Sequence, residues 1–327
     1  MDTFVQRRKP DPKTLLGKGK LEEIVLQALR YGAEMLIFDS ELSPSQWRSI
    51  TNATDLKVID RSMLILDIFA RRAQSSMGKL QVEFAQLKYN LPRMAEKGAG
   101  LSRLAGGIGG RGPGETKLEI GRRRLRDRIT VLEKRLKDLS FNRDQNAEKR
   151  KSEKLKQVSL LGYTNVGKST LFNALTKSDV IVEDMLFATL DSTHRKLFLG
   201  YKEGEFKPES AIITDTVGFI RDLPEELTQA FKATLDELYA ASLLLHVIDA
   251  SDKLFVKKIK AVNKILTTMD LLEIKTIIVV NKIDAASKEN LELVTNYLSE
   301  HSNEYILVSA LNKTGLDDFR IKVLNSL

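Results

Sequence analysis

A glycine-rich segment at residues 162–170 has the residue types and the spacing of a phosphate-binding loop. It reads Gly-Tyr-Thr-Asn-Val-Gly-Lys-Ser-Thr and fits the pattern G-x-x-x-x-G-K-[ST]. Such a loop turns its backbone N–H groups toward a phosphate, and the helix that follows adds its partial positive charge. We expect Lys168 to reach the β- and γ-phosphates and the Ser169 hydroxyl to bind Mg²⁺. The residues predicted to contact the nucleotide here are Gly162, Tyr163, Thr164, Asn165, Val166, Gly167, Lys168, Ser169 and Thr170.

A second motif, Asp215-Thr-Val-Gly218, ends an apolar run that begins at Ala211. We expect Asp215 to bind the Mg²⁺ through a water molecule and the Gly218 N–H to meet the γ-phosphate. At the next position Ras-like enzymes place a glutamine that orients the attacking water, whereas this chain has Phe219, which cannot do so. The catalytic residue is therefore not identified, and intrinsic hydrolysis is predicted to be slow, with Lys168 and Gly218 supporting it.

The segment Asn281-Lys-Ile-Asp284 follows another apolar run and has the residue types that select a base. The two carboxylate oxygens of Asp284 can accept hydrogen bonds from the N1–H and the exocyclic amine of guanine. Adenine lacks this pair of donors and would leave the carboxylate without partners. Lys282 is expected to lie along the base plane, and the N–H of Ala310, next to Ser309, to donate to the guanine O6. The order of these motifs along the chain predicts a guanine nucleotide.

Three groups of elements are predicted to position these residues. Strands and helices alternate over 157–327, which predicts a doubly wound α/β domain with ligands at the carboxyl ends of its strands. Residues 1–73 predict a small α/β domain, in which Ser43 caps a helix that begins at Pro44. Residues 74–156 predict an antiparallel coiled-coil hairpin, because two runs of apolar residues recur at steps of three and four.

The loop of the hairpin, residues 98–114, is rich in glycine and carries two arginines. The chain has a net charge of +8, and residues 111–156 contain sixteen Lys and Arg residues against eight Asp and Glu residues, which accounts for the whole excess. A local excess of positive charge of this size favours a polyanionic partner, most of all nucleic acid. The alternatives are a solvated helix face for the basic segment and a simple linker for the glycine-rich loop. The residues predicted to contact RNA are Arg103, Arg111, Arg122, Arg123 and Arg124.

Composition excludes several other classes of site. The 327 residues are 42% hydrophobic and include no cysteine, so disulfides, thiolate metal sites and cysteine nucleophiles are excluded. The basic N-terminus is not followed by the apolar run of a signal peptide, and the longest apolar runs are too short to span a bilayer. We therefore expect a cytoplasmic protein, a monomer, with no membrane partner. We expect His194 at the surface and His246 in the core.

Four longer stretches resemble the HflX family of ribosome-associated GTPases: residues 78–83, 109–119, 186–191 and 215–224. The resemblance extends from about residue 5 to the end of the chain. It implies a protein that binds and hydrolyses GTP, binds the large ribosomal subunit and its rRNA, and dissociates or rescues stalled ribosomes. It also implies that the helical hairpin and its glycine loop probe rRNA near the peptidyl transferase centre.

The resemblance implies three further residue roles and leaves two functions open. Thr189 matches a switch threonine that closes on Mg²⁺ and the γ-phosphate and supports hydrolysis, and Phe187 lies in the same motif and is expected at the GTP site. Asn165 matches an asparagine with which related GTPases hold K⁺, which is a hypothesis for this chain. The alternative to a splitting factor is a ribosome assembly or hibernation factor that uses GTP as an affinity switch without splitting.

Overall fold

The computed structural model describes residues 3–5, 9–97, 113–152, 156–176, 193–201, 206, 208–216, 218–219 and 236–327. These residues belong to two compact units, which are described separately below. The first contains residues 1–71 and 80–137, and the second contains residues 72–79, 138–223 and 231–327. Phe187, Thr189, Arg103 and Arg111 lie outside the described residues. The three-domain boundaries expected from the sequence stay a prediction.

The first unit opens with a small α/β layer. Its elements are helix α1 (Lys18–Arg30), strand β1 (Met35–Phe38), helix α2 (Pro44–Thr51), strand β2 (Lys57–Asp60) and helix α3 (Arg61–Arg72). Strands β1 and β2 pair in parallel. The Ser43 side chain accepts from the Gln46 N–H, and the Gln46 side chain accepts from the Ser43 N–H, so the predicted helix start is confirmed as a reciprocal cap.

Two long helices, α4 (Ser76–Lys97) and α5 (Pro113–Ser152), contribute their residues 80–97 and 113–137 to the first unit. Arg128 of α5 donates from Nε and Nη2 to the two carboxylate oxygens of Glu83 on α4, at 2.7 and 2.9 Å. Gly121 lies within van der Waals reach of Met94. Glu83 precedes Met94 along α4, whereas along α5 the partner of Glu83, Arg128, comes after the partner of Met94, Gly121. The two helices therefore run antiparallel, and the predicted hairpin is confirmed. The seam positions of α5 are all buried or half-buried: Leu125, Ile129, Leu132, Leu136 and Leu139.

The second unit is built on a six-stranded sheet with the order β4-β5-β3-β6-β7-β8. Every strand is parallel to its neighbours except β4, which is antiparallel to β5. The strands are β3 (Gln157–Gly162), β4 (Thr193–Tyr201), β5 (Pro208–Asp215), β6 (Leu243–Asp249), β7 (Thr276–Asn281) and β8 (Tyr305–Leu307). The described helices are α6 (Lys168–Thr176), α7 (Phe255–Thr268), α8 (Lys288–Glu300) and α9 (Leu316–Ser326). The predicted doubly wound α/β fold is confirmed.

Alternate residues of the central strands face two separate cores. On one face, Leu243, Leu245 and Val247 pack with apolar residues of α6 and α9. On the other face, Ile248 of β6 and Ile278 and Val280 of β7 pack with α7 and α8. Both faces of the parallel strands are thus covered, which explains their continuous apolar sequences and leaves the carboxyl ends as the place for polar residues. Within the described residues, no helix has both the length and the apolar character needed to cross a membrane.

Candidate functional site

The predicted phosphate-binding loop connects the end of β3 at Gly162 to the start of α6 at Lys168. The required order of strand, loop and helix is therefore present. Gly167 has a φ of +87°, and a Cβ at this position would collide with Nδ2 of Asn281, so no other residue fits there without moving the loop. Val166 packs its side chain into the core beneath the loop, which anchors the apex.

Lys168 is folded back into the loop that precedes it. Its Nζ donates to the carbonyl oxygens of Tyr163 at 2.9 Å and Gly162 at 3.3 Å, and its side chain is almost fully buried. Burial lowers the pKa of Lys168 to about 8, although the nearby Asp215 carboxylate acts in the opposite direction. A buried cation whose pKa lies near neutrality is well placed to gain from anionic phosphates.

This pKa predicts that the affinity for Mg·GDP falls as the pH rises above about 8. Below that pH the free protein already holds the Lys168 proton, whereas above it binding must take up a proton, because the phosphates raise the pKa of Lys168 in the complex. We expect a loss of up to about tenfold per pH unit, measured by calorimetric titration between pH 7 and 9. Lys168→Met should remove the dependence; a constant wild-type affinity over this range would contradict the prediction.

Two of the three residues predicted to hold Mg²⁺, Ser169 and Asp215, lie together, and the third, Thr189, is outside the described residues. The Ser169 hydroxyl, in the first turn of α6, donates to Oδ2 of Asp215 at 2.7 Å. Asp215 ends β5 and is fully buried. Hydroxyl and carboxylate oxygens are donors that Mg²⁺ accepts, usually together with phosphate oxygens and water. The arrangement therefore fits a magnesium ion that arrives with the nucleotide.

Asn281 connects the phosphate-binding loop to the last strand of the sheet. Its Nδ2 donates to the Val166 carbonyl oxygen at 2.9 Å, and its Oδ1 accepts from the Ala310 N–H at 3.0 Å. The Ala310 N–H, which was expected to face the guanine O6, is therefore bonded to Asn281, because the amide lies between the ends of β7 and β8. In this structure Asn281 organises the loops around the site rather than presenting free groups to a base.

The two charged residues of the same motif extend the site beyond Asn281. Lys282 has a φ of +62°, and its Nζ donates to the Asn165 carbonyl oxygen at 2.8 Å. Asp284 accepts from the Ser309 hydroxyl, which also accepts from the Asn312 N–H. Loops after β3, β7 and β8 thus meet at one edge of the sheet, as the positions of the motifs predicted.

Base selection by Asp284 predicts a change of nucleotide in the variant Asp284→Asn. An amide offers one acceptor and one donor, so it matches xanthine, whose C2 carbonyl replaces the guanine amine. We expect the affinity for GDP to fall about 100-fold and that for XDP to rise, as measured by equilibrium titration of both nucleotides. Asp317→Asn, which changes an exposed carboxylate on α9, should bind GDP like the wild type. If the Asp284→Asn variant still preferred GDP to XDP, base selection by Asp284 would be contradicted.

Phe219 lies beside the phosphate-binding loop through its backbone only. Its N–H donates to the Gly162 carbonyl oxygen at 3.0 Å, and its carbonyl oxygen accepts from the Thr164 N–H at 2.9 Å. The phenyl ring is buried in an apolar cluster with Leu161 and Leu244. The ring carries no polar atom and is directed into the core, which agrees with the expectation that it does not orient water.

The two remaining histidines of interest lie on two strands of the sheet, β4 and β6, which are separated by β5 and β3. His194 of β4 is half-buried, and its Nδ1 lies 2.9 Å from the Thr214 hydroxyl. His246 of β6 is buried as predicted. Burial is the main cause, and the charge of Lys168 the second, of a pKa lowered to about 4, so the imidazole ring is neutral.

Three of the arginines predicted to contact RNA lie on α5. Arg122 is half-buried, and Arg123 and Arg124 are exposed.

One residue at the site was not predicted from the sequence. Asp249 ends β6, directly opposite Asn281 in the sheet register, and its carboxylate pairs with Lys282 Nζ at 2.8 Å. The sequence signal for Asp249 is its acidic side chain at the carboxyl end of β6, because β6 is the neighbour of β7, which ends in Asn281. Its contacts are considered further below.

Family comparisons cover nearly the whole chain. The family described as GTP-binding GTPase N-terminal matches residues 1–70, GTP-binding GTPase Middle Region matches 72–150, and 50S ribosome-binding GTPase matches 157–282. Among solved structures, a GTP-binding protein from the archaeon Sulfolobus solfataricus in complex with GDP is 25% identical, with a TM-score of 0.50 over 97% of this chain and 87% of that one. A GDP complex of SsGBP gives 26% identity and a TM-score of 0.52 over the same shares.

Curated relatives agree with these matches. GTPase HflX of Caldanaerobacter subterraneus is 49% identical over 92% of this chain and 67% of its own length. GTPase HflX of Flavobacterium psychrophilum is 44% identical over 98% of this chain and 79% of its own length. GTPase HflX of Escherichia coli is 48% identical over 85% of this chain and 64% of its own length. With the nucleotide motifs assembled at one edge of the sheet, these identities show that the chain belongs to the HflX family of GTPases.

Proposed function

We propose that this GTPase binds the large ribosomal subunit and dissociates or rescues stalled ribosomes. The observation that carries the proposal is that one chain joins a guanine nucleotide site to a basic helix of 40 residues, α5. A helix this long spans about 60 Å, so it can present positive charge to RNA along a considerable length. The description of the matching family as a 50S ribosome-binding GTPase supports a ribosomal partner.

At the nucleotide, the proposal assigns one task to each group of residues. Lys168 and the loop N–H groups bind the phosphates, Ser169 and Asp215 hold Mg²⁺, and Asp284 reads the guanine edge. When bound, Mg²⁺ neutralises the charge that develops on the phosphates. Tyr163, Thr164 and Thr170 complete the loop, and Thr189 closes over it from a segment outside the described residues. Asn165 remains the candidate for a K⁺ contact.

Hydrolysis in the proposal depends on the ribosome. Phe219 has no group that orients water, so turnover by the free protein is slow, and contact with the large subunit orders the residues that complete the site. Arg122, Arg123 and Arg124 of α5 contact rRNA phosphates, together with Arg103 and Arg111 of the glycine loop. The proposal includes three domains with boundaries at residues 73/74 and 156/157, action as a monomer, and a place in the cytoplasm, where the ribosomes are.

The experiment that tests the proposal is sedimentation of intact ribosomes after incubation with GTP and a substoichiometric amount of the protein. We expect the ribosomes to separate into subunits. A variant with Arg122, Arg123 and Arg124 changed to glutamine should lose this activity while GDP affinity stays unchanged. The charge-matched control changes Lys257, Lys260 and Lys264, exposed residues of α7, to glutamine and should still split ribosomes. Binding to free large subunits without splitting would instead support an assembly or hibernation factor.

A further inference from the structure

The carboxylate of Asp249 is held in a single orientation by its own loop. Its Oδ1 accepts from the Ser251 N–H at 2.9 Å and from the Ser251 hydroxyl at 2.6 Å. Its Oδ2 pairs with Lys282 Nζ at 2.8 Å. The side chain is only 13% exposed, so this ion pair is screened less than a surface pair. Asp249 therefore presents one oxygen to Lys282 and uses the other to fix its own position.

Lys282 is consequently held at both its ends. Its backbone has a left-handed φ of +62° after β7, and its Nζ is shared between Asp249 and the Asn165 carbonyl oxygen. Asn165, at the apex of the phosphate-binding loop, also has a left-handed φ, of +63°. A lysine side chain ordinarily samples many rotamers, but two bonds at Nζ restrict the path of its four-carbon stem. That path runs from the end of β7 to the apex of the phosphate-binding loop.

We propose that Asp249 is a positioning residue for guanine nucleotide binding, which acts by holding the stem of Lys282 as a flat apolar wall against the base plane. The inference rests on the proposed function, because it requires the base to lie along Lys282. Asp249 touches no nucleotide atom itself. It also fixes the distance between the loop that binds the base and the loop that binds the phosphates, because Lys282 Nζ bonds to Asn165.

The same loop supplies a matched control in Asp252. Its carboxylate pairs with Lys258 Nζ at 2.5 Å and accepts from the N–H of Leu254, the residue before α7, and its side chain is 19% exposed. Asp252→Asn removes one negative charge, as Asp249→Asn does, from a position three residues away and of similar exposure. A general effect of charge would change both variants alike, because the Lys282 charge also acts on the Asp252 carboxylate. Positioning of Lys282 depends instead on its direct ion pair with Asp249.

The test is equilibrium titration of the full chain with fluorescent GDP, comparing Asp249→Asn, Asp252→Asn, Lys282→Met and the double variant Asp249→Asn/Lys282→Met. We expect Asp249→Asn to weaken GDP binding about tenfold, a loss typical of groups that orient a ligand-binding residue. Asp252→Asn should stay within about twofold of the wild type. The double variant should bind no more weakly than Lys282→Met, because Asp249 then has nothing to position.

A second readout separates positioning from a structural role. Lys282 faces the plane of the base and Asp284 its edge, so Asp249→Asn should weaken GDP and IDP, which lacks the exocyclic amine, by the same factor. Unchanged GDP affinity in Asp249→Asn, equal losses in the two asparagine variants, or losses that multiply in the double variant would each overturn the inference. If the wild type did not prefer GDP to ADP, the proposed function would be overturned as well. If the wild type does prefer GDP, a negative result for Asp249→Asn overturns only the role of Asp249.

Discussion

Replacing Gly218 by alanine is expected to reduce GTP turnover by up to about 100-fold while the chain stays folded. A Cβ at this position would lie 2.9 Å from Thr164 Cγ2 and 3.0 Å from both the Thr164 Cα and Lys168 Nζ. The lysine tip can move aside, but the Thr164 Cα belongs to the backbone of the phosphate-binding loop. The loop would therefore have to shift by a few tenths of an ångström. A misplacement of about 1 Å in a catalytic site can cost about 100-fold in rate, which is the upper bound of the expected loss.

The measurements for Gly218→Ala are the turnover number, the GDP affinity and the circular dichroism spectrum. Overpacking of this kind costs about 1–3 kcal/mol of stability, which a folded domain of this size tolerates. Gly19→Ala is the control, since an added Cβ there, in α1, meets nothing within 4 Å. Normal turnover in Gly218→Ala would show that the close approach to Thr164 and Lys168 has no part in hydrolysis.

The second large effect is expected in the first unit, where an ion pair is buried. Asp60 is fully buried at the end of β2, and its Oδ2 pairs with Nη2 of Arg93 on α4 at 3.2 Å. Arg93 also donates to the carbonyl oxygens of Leu42 at 2.7 Å and Tyr89 at 2.8 Å. Asp60 accepts in addition from the Met63 N–H at 2.8 Å and from the Tyr89 hydroxyl.

Arg93→Met should lower the free energy of unfolding of this unit by about 3–5 kcal/mol, because it leaves the Asp60 charge buried without its counter-ion. Urea unfolding of the full chain, followed by amide hydrogen exchange in α3 and α4, locates the loss. Arg128→Met is the matched control: it breaks the pair with Glu83, whose side chains are 44% and 39% exposed, and should cost under about 1 kcal/mol. Equal losses in the two variants would contradict this account of the buried pair.

The place of the nucleotide motifs in the fold was largely predictable, because the residue patterns for phosphate and base recognition concentrate in short segments. Gly162 to Thr170 must lie between a strand and a helix, and the residues from Asp215 and Asn281 onward must follow strands, so local patterns locate all three. The leucine seam of α5 likewise predicted its packing face. Each of these predictions depends on neighbours within about one helical turn or one strand.

The contacts that escaped prediction join residues far apart in the chain. Asp60 and Arg93 are separated by 33 residues and Asp249 and Lys282 by another 33, so no local period connects them. Their burial was also not predicted, because the apolar steps along α4 predict one buried seam, whereas Tyr89 and Arg93 lie buried on another face of the helix. Strand β4 was not predicted for a different reason. It is an antiparallel edge strand in which Arg195 and Lys196 are exposed, and only Leu197 and Leu199 are buried at alternating positions. That is too short a pattern to indicate a strand.

The central claim, a GTPase that the large ribosomal subunit activates, is tested most directly by GTP turnover in potassium buffer with and without purified large subunits. We expect slow turnover by the protein alone and a stimulation of about 100-fold or more by large subunits. Phe219 cannot orient the attacking water, so contact with the ribosome must order the residues that complete the site. Guanine nucleotide binding without any stimulation by large subunits would contradict the claim and leave the basic helix α5 with another RNA as its target.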